Sequence, residues 1–419
     1  MLLQLGVAPA EATICSALLF IPWVLKSFMH PWVSRVGRFK QMLHLIEALL
    51  FMSLVFLAFS FNIDSSISNF LRKAQAQAEQ LSIFKFQFSI KAQPVFVFLA
   101  LLLVSFLCAW HEMVARMFYE TALRPSLQRL LTTPRLVCSQ IAVVFTYGAL
   151  IFLVGMLEVY FRQIRYSWAM GCYVAAGLFL LFVFLHLMTL APSPLPLWGS
   201  DSEAKREAAC TLPQRGSWRG LPVLILFLLL LPQSLMFHAR VLYLYDAHAR
   251  GGLQCTMQEI GFAQGTVGVI AFSFGLFLSR RLITSTFQLF NFSTFALVLS
   301  PLVYLGMTIW PPQSLLILCC CTMTAQLLFG LGLGVCRLPV SAVSGVRYRN
   351  TINMLQIPLV SAAMIVPMAA SGWMVEQLGY HTFFLVNALS APVCLLGVFL
   401  LRRMAFPSAH CSSLTSKLS

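Results

Sequence analysis

The chain has few charged residues, and few of those are acidic. Of its 419 residues, 13 are Asp or Glu and 28 are Lys or Arg, so charged side chains make up only 10% of the sequence. Soluble globular domains carry about 25% charged residues. Together with 59% hydrophobic residues and a mean hydropathy of +0.84, this scarcity excludes a soluble domain. It predicts an all-α polytopic membrane protein.

The sequence also lacks the motifs of common catalytic and cofactor sites. The zinc-protease motif needs a second His four residues after the first. Position 115, four residues after His111, is Ala, so the motif is incomplete. Three adjacent cysteines, Cys319 to Cys321, have no two-residue gap that would let their thiolates converge on one metal. Glycines between Phe329 and Gly334 follow no strand, so they predict close helix packing rather than a nucleotide loop. We expect no enzyme activity, no metal and no cofactor.

About eleven apolar stretches are long enough to cross roughly 30 Å of hydrocarbon. They cover residues 9 to 29, 42 to 61, 93 to 117, 137 to 157, 167 to 189, 221 to 244, 260 to 279, 285 to 308, 314 to 336, 352 to 373 and 382 to 401. A polar, Pro-rich stretch separates the first five from the last six. We therefore predict an amino-terminal bundle over 1–190, a linker over 191–220, a carboxy-terminal six-helix bundle over 221–402 and a tail over 403–419.

Positive residues concentrate in alternate turns between these stretches. The basic segments are 31 to 41, 118 to 136, 190 to 220, 280 to 284, 337 to 351 and the tail from 402. Cytoplasmic loops of membrane proteins carry an excess of Lys and Arg, so this bias predicts that linker and tail are cytoplasmic in a multi-pass membrane protein. The net charge of +15 then favours anionic lipid headgroups of the bilayer, and we expect no nucleic-acid partner.

We single out six ionisable residues inside the predicted bundles and set Glu11, His186 and Arg240 aside as close to helix ends. The six are Lys26, Glu47, His111, Glu112, Arg116 and His238. A charge inside the membrane costs several kcal/mol, about 3 on insertion scales, unless it has a partner. We interpret Lys26 or Arg116 as balancing Glu112 in a cavity that binds an anionic solute, while a carboxylate or His238 changes protonation.

Alternative interpretations of these polar residues stay open. The charged side chains could form a static ion pair or snorkel to the interface, because Glu47 is predicted near its helix start and Arg116 near its helix end. Gln233 and Gln326 are candidates for a polar cavity, with hydrogen bonding between helices as the alternative.

The turn from His30 to Lys40 resembles a known loop motif. The loop between helices two and three of the major facilitator superfamily reads Gly-x-x-x-Asp-Arg-x-Gly-Arg, and this chain matches it at Arg35, Gly37 and Arg38. The resemblance implies a gating loop in a fold of two helical bundles. The sequence departs from the motif at His30, where the family has Gly, and at Ser34, where the family has the Asp that helps to hold one bundle to the other.

Four segments, in order along the chain, resemble one narrower family. They are Pro22-Trp23-Val24-Leu25-Lys26 (family Pro-Trp-Val-Ile-Lys), His111-Glu112-Met113-Val114-Ala115-Arg116-Met117-Phe118-Tyr119 (family His-Asp-Ile-Ala-Ala-Asp-Gly-Phe-Tyr), residues 251–271 and residues 371–384. The family is that of AmpG-type muropeptide permeases, in the branch carried by Bacteroidetes-like bacteria. The resemblance implies a secondary transporter that works by alternating access and imports a muropeptide-like sugar-peptide or a related amphiphilic solute, with protons as a candidate coupling ion.

The chain departs from this family at several acidic positions. Arg116 stands where the family has its second acid in helix four, and Pro232 to His238 replace a family segment that contains Glu and Lys. The stretch Gln326 to Gly332 lacks the acid that precedes it in the family. Proton coupling through those acids therefore does not follow from the resemblance. The alternative function is a degenerate or repurposed scaffold that acts as a membrane enzyme or lipid-handling protein.

The resemblance also implies that the first family helix is missing. It aligns the stretch that begins near residue 9 with the family's second helix, which leaves five helices in the amino-terminal bundle against six in the other. Two explanations are open: the true start codon lies upstream of Met1, or the gene has decayed or been repurposed.

Overall fold

A computed structural model of the protein describes residues 1–36, 38–61, 92–123, 125–190, 221–282, 286–333 and 349–405. These described residues form helices and contain no strand, which confirms the predicted all-α class. The helices are α1 (Pro9–Leu18), α2 (Ile21–Val36), α3 (Phe39–Ser60), α4 (Ala92–Ala122), α5 (Pro125–Val144), α6 (Leu150–Phe161), α7 (Ile164–Thr189), α8 (Leu221–Tyr245), α9 (Met257–Ile260), α10 (Gly268–Leu282), α11 (Thr286–Ile309), α12 (Leu315–Gly332), α13 (Arg349–Leu389) and α14 (Ala391–Ala405). Single π-helical segments, Phe145–Ala149 and Gly261–Val267, join α5 to α6 and α9 to α10.

The helices account for all the predicted membrane spans. In the described part of the chain, nine helical stretches are long and apolar enough to cross a membrane, and Thr294–Ile309 is a shorter apolar helix. The 43-residue stretch Pro358–Leu400 holds two spans, because Gly379 leaves the helical region with φ 72° and ψ 164°. Nine stretches, one extra span in that long stretch and the shorter helix give eleven spans, the predicted number.

Two of the predicted helix boundaries were wrong. The predicted span 9 to 29 is broken at Leu19 and Phe20, because α2 begins with Pro22 as its second residue, and Pro has no N–H to continue the bonds of the preceding helix. The predicted turn 118 to 136 is mostly helical, since α4 runs to Ala122 and α5 begins at Pro125. Arg116 therefore lies six residues before the end of α4 rather than at its end.

The contacts divide the chain into two compact units. The first unit comprises residues 1–196 and 255–266, and the second comprises 197–254 and 267–419. The predicted linker, 191–220, lies outside the described residues, as does the predicted tail from residue 406 on. The predicted domain boundaries therefore stay a prediction.

In the first unit, α3 packs against both α4 and α7. Its buried Leu43 and Ile46 share an apolar cluster with Met113 and Val114 of α4. The segment around α9 also belongs to this unit, because glycines allow it to approach the α5–α6 helix closely. A Cβ on Gly261 would lie 2.6 Å from the Phe152 backbone nitrogen, and one on Gly265 would collide with the Tyr147 carbonyl oxygen.

In the second unit, α8 packs against α13 and α14. The buried Tyr243 of α8 contacts the ring of Phe384 and donates a hydrogen bond of 2.8 Å to the Met307 carbonyl. Helices α10 and α12 approach closely at Gly330, where a Cβ would meet the Phe272 carbonyl oxygen. Close helix packing, the role predicted for these glycines, is confirmed for Gly330 and Gly332.

Candidate functional site

A network of three charged side chains joins α2 to α4 in the first unit. Glu112 contacts the Lys26 ammonium with Oε2, and its Oε1 accepts a hydrogen bond of 3.1 Å from Arg116 Nη2 one helical turn further on. The Lys26 side chain is only 6% exposed, against 27% for Glu112 and 15% for Arg116. The structure thus brings together three of the residues predicted to form the site, and one carboxylate faces two cations.

The surroundings of this network leave an excess of positive charge. The Arg135 guanidinium lies 4.6 Å from the centre of the Tyr119 ring, and Glu120 interacts electrostatically with both Arg116 and Arg135. Three cations, Lys26, Arg116 and Arg135, therefore face two carboxylates, Glu112 and Glu120, a net charge of +1. We refer to these five side chains as the cationic cluster.

Two buried donors on α4, one of them in the cationic cluster, have no hydrogen-bond partner. Among the described side chains, the Nε atoms of Arg116 and Trp110 are buried without a hydrogen-bond partner. A buried donor without a partner costs about 1–3 kcal/mol, so native proteins seldom retain one without a ligand or a water molecule to occupy it. Trp23 adds an aromatic face, its ring centre 5.6 Å from the Lys26 ammonium.

His111 does not join Glu112, although the two are adjacent in sequence. Its ring turns to Glu47 of α3, with Nε2 at 3.4 Å from Oε1. His186 of α7 lies 2.6 Å from the same oxygen, and His44 lies 3.2 Å from Oε2. Glu47 is 1% exposed, so the interpretation as an interfacial side chain was wrong. We refer to these four residues as the histidine cluster.

Sequence reasoning singled out two of the four residues of the histidine cluster, Glu47 and His111, and missed His44 and His186. His44 and Glu47 stand three residues apart in an apolar helix, a spacing that places them on one face, and this signal was available. His186 was set aside as a helix-end residue and does lie in the last turn of α7, but it nevertheless contacts Glu47. Its contact with Glu47 spans 139 residues and depends on how α7 packs on α3, which no local pattern in the sequence reveals.

The second unit buries polar groups without pairing them. Gln233 donates from Nε2 to the Leu297 carbonyl at 3.2 Å, the helix-to-helix bond predicted as its alternative role, but its Oε1 has no partner among the described residues. The same holds for His238 Nε2 and for both amide atoms of Asn387, whose side chain is 1% exposed. We refer to these three residues as the neutral polar set.

Arg240 is buried in the second unit, five residues before the end of α8, although it was wrongly set aside as a helix-end residue. Its guanidinium lies 4.9 Å from the centre of the Phe237 ring, and its buried Nε has no hydrogen-bond partner in the described structure. No acidic residue in the sequence of α8 marked it as part of a pair.

The predicted gating motif is described only at its last residue. Gly37 and the side chain of Arg35 lie outside the described residues, whereas Arg38 is exposed and precedes α3 without capping it through its side chain. The gating role of the three residues stays a prediction.

Comparisons with known proteins place the fold. Neither a family model nor a curated protein matches the chain. Solved structures do match. The crystal structure of a D-xylose–proton symporter has a TM-score of 0.61 at 14% sequence identity, over 96% of this chain and 90% of that one. The nucleoside transporter NupG has a TM-score of 0.59 at 14% identity, over 97% of this chain and 93% of that one. The inward-open xylose transporter XylE from E. coli is similar as well, with a TM-score of 0.57 at 14% identity over 96% of this chain and 89% of that one. At such identities the similarity concerns the fold, which is the predicted major facilitator fold of a polytopic membrane protein.

Proposed function

We propose that this protein is a secondary active transporter that imports an anionic, sugar-containing solute, with muropeptide-like sugar-peptides as the best candidates. The observation that carries the proposal is the cationic cluster: a buried Lys26 and a partly buried Arg116 share one carboxylate, and a third cation lies beside them. Polar and charged residues inside a membrane are costly and mark solute or ion pathways.

The charge balance of the cluster favours a carboxylate ligand. The net charge of +1 is compensated when one acidic group binds. The Nε–H of the planar Arg116 guanidinium has no partner and can donate a hydrogen bond to that group. A charge-assisted hydrogen bond of this kind contributes about 1.5–3 kcal/mol. Peptide carboxylates of a sugar-peptide would supply the negative charge.

The neutral polar set, taken by itself within the second unit, has hydrogen-bonding groups that match those of a sugar. Gln233 Oε1 and the two amide atoms of Asn387 offer acceptors and a donor that suit hydroxyl and acetamido groups. The similar structures belong to transporters of xylose and of nucleosides, solutes with many hydroxyl groups. Trp23, whose ring centre lies 5.6 Å from the Lys26 ammonium, provides an apolar face for an amphiphilic solute.

The location that we propose is a bacterial inner membrane, with the basic turns in the cytoplasm. Helical spans throughout the chain support insertion in a bilayer, and the Lys and Arg bias supports this orientation. Alternating access of the two units, as in other transporters of this fold, would move the solute inward.

Uptake into proteoliposomes tests the proposal. Wild-type protein should accumulate labelled anhydro-muropeptide, and Arg116→Gln should reduce that uptake at least tenfold, because a charge-assisted bond is lost. Arg250→Gln is the matched control: this arginine is 68% exposed and pairs with Asp246 at 3.5 Å, outside the cationic cluster. No uptake by folded wild-type protein, with or without a pH gradient, would contradict transport and favour the membrane-enzyme or lipid-handling alternative.

A further inference from the structure

The histidine cluster has no role in the solute site, and its chemistry is unusual for the inside of a membrane protein. One carboxylate with 1% exposure accepts contacts from three imidazoles that belong to three different helices, α3, α4 and α7. Helix α3 packs on both α4 and α7, so the cluster lies where these three helices meet.

The contact geometry fixes the least protonated state of the cluster. An ionised carboxylate only accepts hydrogen bonds, and a neutral imidazole donates from one nitrogen. All three contacts are satisfied when the hydrogens lie on His44 Nδ1, His111 Nε2 and His186 Nδ1. In that state the cluster carries a charge of −1 in a buried position.

A single added proton removes this charge. It makes one imidazole an imidazolium paired with the carboxylate, or it converts the carboxylate to an acid that donates to an imidazole nitrogen, and either state has a net charge of zero. Because a buried net charge is costly and a neutral pair is less so, the cluster favours uptake of one proton. A second proton would leave a net positive charge and is disfavoured.

Neighbouring groups do not neutralise the cluster in another way. From its own helix, Lys40 lies two turns before Glu47 and donates instead to the Leu190 carbonyl at 2.7 Å. From α4, Glu112 is paired with Lys26 and Arg116, and the Cys108 thiol packs in the apolar cluster. From α2, His30 interacts electrostatically with Lys26. Among the described residues, no group of His, Cys, Asp and Glu is arranged to hold a metal ion.

The exposure of the His186 side chain indicates a route for the proton. The His186 side chain is 42% exposed and makes the shortest contact, 2.6 Å to Glu47 Oε1. It lies three residues before the end of α7, on the side of the basic turn between α2 and α3. A proton can thus reach a buried carboxylate through one imidazole, the role to which histidine is suited near neutral pH.

We propose that Glu47, His44, His111 and His186 form a proton-binding site that takes up one proton per cycle and is distinct from the cationic cluster that binds the solute. The proposal rests on the proposed transport function for its physiological role, and proton uptake itself is measurable without transport.

Counting protons tests the site directly. Purified protein in detergent is brought from about pH 8 to about pH 5, the window in which histidine changes charge, and proton uptake is measured with an indicator dye. Wild type should take up about one proton more than Glu47→Gln, because without the carboxylate the partly buried imidazoles lose their counter-charge. Glu259→Gln is the matched control: Gln preserves the capping box with Thr256, and its count should equal that of wild type.

His186→Gln keeps the test decisive if Glu47→Gln does not fold, because this residue lies near a helix end and is partly exposed. It should move the midpoint of proton uptake to lower pH, since the carboxylate loses its closest imidazole. Equal proton counts in wild type and Glu47→Gln, or an unchanged midpoint in His186→Gln, would overturn the proposal.

Transport assays separate this proposal from the proposed function. Glu47→Gln carries the charge of the proton-loaded cluster, so it should still exchange external for internal solute but lose acceleration by a pH gradient. A variant that keeps this acceleration would overturn the proton site and leave transport intact. A wild type that moves no solute yet binds the extra proton would contradict the transporter function alone.

Discussion

The two units differ in the charge of their buried polar groups and in how those groups are partnered. In the first unit, buried ionisable side chains satisfy one another: Lys26 and Arg116 pair with Glu112, and three imidazoles surround Glu47. In the second unit, the neutral polar set of Gln233, His238 and Asn387 keeps buried atoms without partners. The first unit therefore depends on charge compensation for its stability, while both units hold unused hydrogen-bonding capacity, at Arg116 Nε and Trp110 Nε1 in the first and at the neutral polar set in the second.

The largest effect should come from breaking the compensation in the first unit. Glu112→Gln leaves Lys26 and Arg116 without their shared carboxylate and should lower the free energy of unfolding by about 3 kcal/mol, the lower end of the range because Glu112 is partly exposed. Chemical denaturation in detergent measures this, and Glu259→Gln is the control.

A second change should recover part of that loss. In Glu112→Gln/Lys26→Met one of the two orphaned cations is gone, so the double variant should be more stable than the sum of the single effects predicts. Strict additivity of the two changes would contradict the ion pair.

An intermediate effect should follow from separating the segment around α9 from the first unit. Gly265→Ala places a Cβ against the Tyr147 carbonyl oxygen, which cannot move independently of its helix, and should cost about 1–3 kcal/mol. The control is Gly177→Ala, where nothing lies within 4 Å of the new Cβ and better helix propensity should stabilise by up to about 1 kcal/mol. Equal thermal stability of the two variants would show that residues 255–266 do not pack on the first unit as described.

The smallest effect on stability is expected in the second unit. Asn387→Leu removes an amide that has no hydrogen-bond partner, so the free energy of unfolding should change by less than about 1 kcal/mol while solute uptake falls. Gln233→Leu also breaks the bond to the Leu297 carbonyl and should cost about 1 kcal/mol more. If Asn387→Leu destabilises the protein more than Gln233→Leu does, the neutral polar set is part of the internal packing and is not available to a solute.

Sequence patterns were sufficient for the fold and for the strongest ion pair. Membrane spans are visible because each needs about 20 apolar residues, and Lys26 and Glu112 stood out because charges are rare in such stretches. The histidine cluster was found only in part, since the position of His186 against Glu47 depends on packing between α3 and α7. The same applies to Arg135 and Asn387, whose roles depend on which neighbours lack or supply a partner. Helix ends were the least predictable feature, as the extension of α4 to Ala122 illustrates.

The most direct test of the central claim is solute binding by purified protein, measured by titration calorimetry with two ligands: a muropeptide with free peptide carboxylates and the same molecule with those carboxylates amidated. If the cationic cluster recognises the negative charge, wild type should bind the free acid at least tenfold more tightly than the amide, because a charge-assisted bond of about 1.5–3 kcal/mol is lost. Arg116→Gln should bind both ligands with equal, weak affinity. Equal affinity of the wild type for the acid and the amide would contradict the claim that the cluster binds an anionic solute.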